Sequence, residues 1–150
     1  MEPDCPPLRP VRLCPQLQRP AVDGLRDVYS CLADDSSQSP QLKQACMLFS
    51  VAEGDLADGE ADQALKAAGD ALKSFRDAKD ARGTADSLRV LVAAHCHKGE
   101  TKEAERIATE EQKAFQAAGE KRGEAAMQLS LAEVALAEGR MEEAFKTASA

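Results

Sequence analysis

Residues 85–108 read ADSLRVLVAAHCHKGETKEAERIA. Leu88, Leu91 and Val92 stand at i, i+3 and i+4, which puts them on one face of an α-helix. That helix runs to about Lys98 and is broken at Gly99. Glycine adopts the left-handed conformation at little steric cost, which suits a tight reversal between antiparallel helices. A second helix follows from about Thr101, with Ala104, Ile107, Ala108 and Phe115 on one face, and ends near Ala118 and Gly119. The local unit is therefore a pair of helices joined by a glycine turn.

The unit recurs. Gly59, Gly99 and Gly139 are spaced by a constant 40 residues, and the same interval relates Ala45, Ala85 and Ala125, then Ala64, Ala104 and Ala144, then Ala68, Ala108 and Ala148. Where identity is lost, class persists: Val51 matches Leu91 and Leu131, and Leu56 matches Cys96 and Leu136. Between successive units the match extends to Phe75 with Phe115, Ala78 with Ala118, and Arg82-Gly83 with Arg122-Gly123. A fixed period of this size signals stacked supersecondary units, none of which buries its apolar face alone. Small alanines at the recurring positions let helix axes approach closely.

On Leu88, Leu91, Gly99, Ala104, Ala108 and Phe115, with their counterparts one period away, the chain resembles the tetratricopeptide repeat (TPR) in a long variety of about 40 residues per unit. The repeat-defining positions are Gly59, Ala64, Phe75, Gly99, Ala104, Phe115, Gly139 and Ala144. The large aromatic that the family carries near the start of the first helix is here Leu48, Leu88 or Gln128, and the family's proline near the end of the second helix is missing. The resemblance implies an all-α fold, a right-handed α-solenoid of antiparallel helix pairs. It covers residues 41–150, divided as 41–80, 81–120 and 121–150, the last unit being cut short in its second helix. The chain is then expected to be a fragment, an incomplete gene model or a protein that pairs with itself through this end, with Met141, Phe145 and Ala148 along a partly uncovered face.

Residues 1–20 differ in character. They hold six of the seven prolines, which remove backbone donors and fix φ, so this stretch is expected to be a disordered arm. In residues 21–40, Val22, Leu25, Val28, Tyr29 and Leu32 recur at helical spacing, predicting a short amphipathic helix followed by a polar linker. Ser39-Pro40 then reads as a helix start, with the serine as N-cap and proline at the first position, where its missing N–H costs nothing.

Composition narrows the function. The net charge of −7 argues against electrostatic capture of nucleic acid, and no apolar run approaches the ~20 residues of a membrane-spanning helix. The prolines at 3, 6, 7, 10 and 15 interrupt any signal-peptide core, so a cytoplasmic location and reduced thiols are expected for the five cysteines. No phosphate loop, His-Glu-x-x-His or nucleophile elbow is present, so no enzymatic activity and no cofactor are expected. His95 and His97 lie two apart, about 200° around a helix, and do not converge on a metal.

The family resemblance instead implies a scaffold that holds a protein or peptide partner on the concave face lined by the first helices. The groove candidates by pattern are Phe49, Glu53, Arg89, Ala93, His97, Leu129 and Glu133, a mixture suited to a peptide with one acidic and several apolar contacts. Arg89 is its single Lys or Arg, unlike the Lys/Asn-rich clamp with which some family members grip a C-terminal carboxylate. Two alternatives stand beside this reading. Cys5-Pro6 and Cys14-Pro15 resemble a haem-regulatory dipeptide, which would make the chain a redox- or haem-responsive regulator. The other is a detached regulatory segment of a larger multidomain enzyme.

Overall fold

The computed structural model of the chain describes residues 21–149, with side chains from residue 28 onward. The proline-rich arm, with Cys5 and Cys14, lies outside the described residues. Among those described, all regular structure is helical: α1 (Ala21–Asp34), α2 (Pro40–Ala57), α3 (Ala61–Asp77), α4 (Ala81–His97), α5 (Thr101–Ala118), α6 (Lys121–Ala137) and α7 (Met141–Ala148).

Capping and turn chemistry set the boundaries. Ser39 Oγ accepts the Leu42 N–H at 3.2 Å, with Pro40 at the first turn, and Asp80 accepts the N–H groups of Arg82 and Gly83 at 3.0 and 3.1 Å. After α2, α4 and α6 the chain turns through Gly59, Gly99 and Gly139 at φ of +82°, +78° and +75°. In each turn the next N–H returns to a carbonyl five residues back, Glu60 to Asp55, Glu100 to His95 and Arg140 to Ala135, at 2.8–2.9 Å. The turns after α3 and α5 close in the same way, Asp80 to Phe75 and Glu120 to Phe115, both at 2.9 Å. Here the left-handed residue is Gly119 in the later unit but Lys79 in the earlier one, at φ 57°.

Helices α3, α5 and α7 begin 40 residues apart, and α1 begins 40 residues before α3. The predicted amphipathic helix is thus placed in the register of a second helix, packed on α2 as α3 packs on α4. Its Tyr29 and Leu32 turn inward, while Val28 stays partly exposed. First helices also pack on one another, α2 on α4 and α4 on α6. Ala64, Ala68, Ala104, Ala108 and Ala144 are buried at the seams, as their recurrence in sequence requires. Met47 and Val51, on the side of α2 away from the stack, stay exposed.

The recurring Phe and Arg-Gly pairs make one device. A Cβ built on Gly83 would lie within 3.0 Å of the Phe75 ring, and one on Gly123 equally close to Phe115. Both rings are buried. Each glycine therefore admits the aromatic that closes the preceding helix, and it does so inside a helix, where glycine costs about 1 kcal/mol relative to alanine.

Two expected outcomes follow, both read by urea denaturation. Lys79→Gly should raise stability by about 1 kcal/mol by relieving a left-handed residue that carries a Cβ. Gly83→Ala should lower it by about 1–3 kcal/mol, because overpacking against Phe75 outweighs the gain in helix propensity. A stabilised Gly83→Ala variant would show that the ring moves aside freely.

Candidate protein-binding surface

The seven groove positions do not form one continuous face. Phe49 is fully buried, its ring 4.3 Å from Tyr29 and 6.4 Å from Phe75 between centroids. It cannot line an accessible groove, because α1 covers it. Glu53 is buried as well. The remaining five lie on α4 and α6: Arg89 and Ala93 are half-buried, and His97, Leu129 and Glu133 are exposed. Arg89 Nη2 lies 3.8 Å from Glu133 Oε1, so the structure brings these two together across the helix pair. The contact is loose, and the Arg89 Nε–H has no hydrogen-bond partner. That Nε–H is itself buried, so what Arg89 offers at the surface is the rest of its side chain, 33% exposed, beside Glu133.

At the far end of α4, His95 and His97 point apart. His95 Nδ1 lies 2.7 Å from Glu100 Oε2, and Lys98 Nζ reaches Glu100 at 3.1 Å and Asp62 at 2.8 Å. These hydrogen bonds, His95 first and then Lys98, hold the Glu100 carboxyl below the usual carboxylate range. Cys96 packs against the cluster of Val92, Ala104, Ala108 and Val134, and burial pushes its thiol pKa up. Cys46 is buried and shifted in the same direction by the same cause. Among the described residues no three of His, Cys, Asp or Glu gather as metal ligands would, and no helix is long and apolar enough to cross a membrane.

Sequence reasoning missed a buried polar centre in the second unit. Tyr29 Oη donates to Asp86 Oδ2 at 2.7 Å, linking α1 to α4 through the aromatic cluster. Arg82 and Arg122 approach the same carboxylate at 3.9 and 3.7 Å. Asp86 occupies the position held by Cys46 and Ala126 in the neighbouring units, so a charged residue in an apolar series was the available signal. Above it an open cleft of about 510 Å³ is lined by Lys79, Asp80, Arg82, Glu120 and Arg122. Its charges are mixed, and none of the groove candidates lines it.

No protein-family model matches the sequence, and a comparison with curated proteins found no match. Among solved structures, the crystal structure of the TPR domain of Arabidopsis FLU superposes with a TM-score of 0.61 at 19% identity, covering 73% of this chain and 92% of that one. This likeness shows the fold, and the chain is a TPR-like helical-repeat protein.

Tyr29 is the sole tyrosine of a chain without tryptophan, so its ionisation can be followed alone. Burial, then the hydrogen bond to Asp86, raises its pKa well above the ordinary 10.0. The fold disfavours tyrosinate, so stability is unaffected below the unfolded-state pKa and falls as pH rises above it. In an alkaline titration, tyrosinate absorbance should appear together with loss of helical circular dichroism. Ionisation near pH 10 with the helices intact would show that Tyr29 is open to solvent.

Proposed function

We propose that the chain is a binding module that holds a peptide or helix of another protein across α4 and α6. The observation that carries this reading is the partly exposed Arg89 side chain, in loose contact with Glu133 across α4 and α6, with exposed Leu129 one turn before Glu133 on α6. Such a surface offers a charge-assisted contact for one carboxylate and an apolar contact beside it. Ala93 is small enough to let a bound backbone approach α4, and exposed His97 extends the same stripe. The TPR-like fold supports the reading at the level of architecture. Because Phe49 and Glu53 are buried, the proposed site is confined to the second and third units.

Selection from a random-peptide display library on the 150-residue chain should enrich sequences with one Asp or Glu near apolar residues. Arg89→Glu and Leu129→Asp should each weaken the selected peptides about tenfold, or 1.4 kcal/mol. Lys113→Glu, on the exposed side of α5, should leave them unchanged. Peptides that bind the Arg89 and Leu129 variants as well as the parent would sink this assignment.

A further inference from the structure

Four large apolar side chains stand exposed on the third unit: Leu129 (48%), Leu136 (51%), Met141 (66%) and Phe145 (77%). Their counterparts one period earlier show where they face. Arg89, the counterpart of Leu129, meets Glu133. Cys96, the counterpart of Leu136, packs in a cluster with Val134. Thr101, the counterpart of Met141, hydrogen-bonds Glu138, and Glu105, the counterpart of Phe145, meets Arg140 Nη2 at 3.4 Å. All four counterparts reach from the second unit to the third. The repeat therefore directs Leu129, Leu136, Met141 and Phe145 to the corresponding face of the third unit, where no described helix covers them. In the first unit the same positions are Phe49, Leu56, Ala61 and Leu65, and there they are buried or half-buried. An edge meant for water carries polar residues on its outer face, and this one carries residues of a covered seam.

We infer that this face of α6 and α7 is a two-fold interface between two copies of the chain. A head-to-tail stack fails on chemistry and on space. It would bring the exposed carboxylates of Asp58 and Glu60, the first-unit counterparts of Glu138 and Arg140, onto Met141 and Phe145, desolvating them against apolar groups. Helix α1 also begins three periods before α7, so it already fills the place on α2 that an incoming α7 would need. A two-fold pairing instead lays α7 antiparallel to the α7 of the second copy, with Met141 and Phe145 meeting their own kind. Glu142 and Lys146 flank these apolar residues one turn apart, and the antiparallel arrangement sets Glu142 opposite Lys146 of the second copy at both ends. The net charge of −7 repels copies elsewhere on the surface, which confines association to this face.

This interface is distinct from the proposed peptide site on α4 and α6 except for Leu129, and mass in solution reads it separately. Light scattering of the 150-residue chain at ~100 µM should give a dimer, which Phe145→Asp converts to a monomer with unchanged helical circular dichroism. Met47→Asp, at an exposed position on the other side of the stack, should leave the dimer intact. Glu142→Lys and Lys146→Glu should each weaken the dimer about tenfold, and the double variant should restore it. A monomeric parent chain at that concentration overturns the interface. Open-ended growth abolished by Met47→Asp overturns it in favour of head-to-tail stacking, and failure of the double variant to recover overturns the antiparallel arrangement.

Discussion

The contact between a phenylalanine ring at the end of one helical pair and a glycine at the start of the next sets the step of the array. Phe75 on Gly83 and Phe115 on Gly123 leave no room for a Cβ, so the spacing between successive units is fixed by an aromatic ring against bare backbone. Buried alanines hold the rest of each seam at short range, as with Ala104 and Ala108 against Val92 and Val134. With one large residue and many small ones, a misplaced methyl is felt along the whole stack, because close-packed interiors transmit strain instead of absorbing it.

The first unit departs from this economy. Three aromatics, Tyr29, Phe49 and Phe75, meet in one cluster supplied by α1, α2 and α3, and the Tyr29 hydroxyl carries the cluster on to Asp86 in α4. A buried carboxylate needs partners, and Asp86 has the tyrosine together with Arg82 and Arg122. Helix α1 is thereby tied to the second unit as well as to the first. Phe49 is thereby withdrawn from the accessible face, while Arg89 on α4 stays partly exposed and Leu129 on α6 exposed.

The seams also differ in chemistry. Between the second and third units the linking positions carry charged or polar groups, Arg89 to Glu133, Glu105 to Arg140 and Thr101 to Glu138, while the equivalent positions on the third unit are Leu129, Phe145 and Met141. Ion pairs at a half-exposed seam contribute little energy but disfavour wrong registers, whereas apolar groups gain only when something covers them.

What the sequence determined by itself is periodic and local. The glycine turns, the Ser39 cap, the helical pairs and the buried series Ala64, Ala104 and Ala144 follow from short-range backbone preference and from a 40-residue repeat that needs no gap, and the structure agrees, whereas Ala125 and Ala148 of the other two series are exposed. The groove candidates Arg89, Ala93, His97, Leu129 and Glu133 follow from helical phase, which says which way a residue faces but not what lies over it. Phe49 and Glu53 have the same phase and are buried. Tertiary structure alone decided the docking of α1 by Tyr29, the pairing of Phe75 and Phe115 with the glycines that follow them, and the left-handed Lys79 where the next unit has glycine. Each of these depends on contacts or backbone geometry for which a repeat pattern carries no term: a side chain that leaves its own unit, a ring that needs the absence of an atom, and a turn that tolerates one misfit because its neighbours over-determine it.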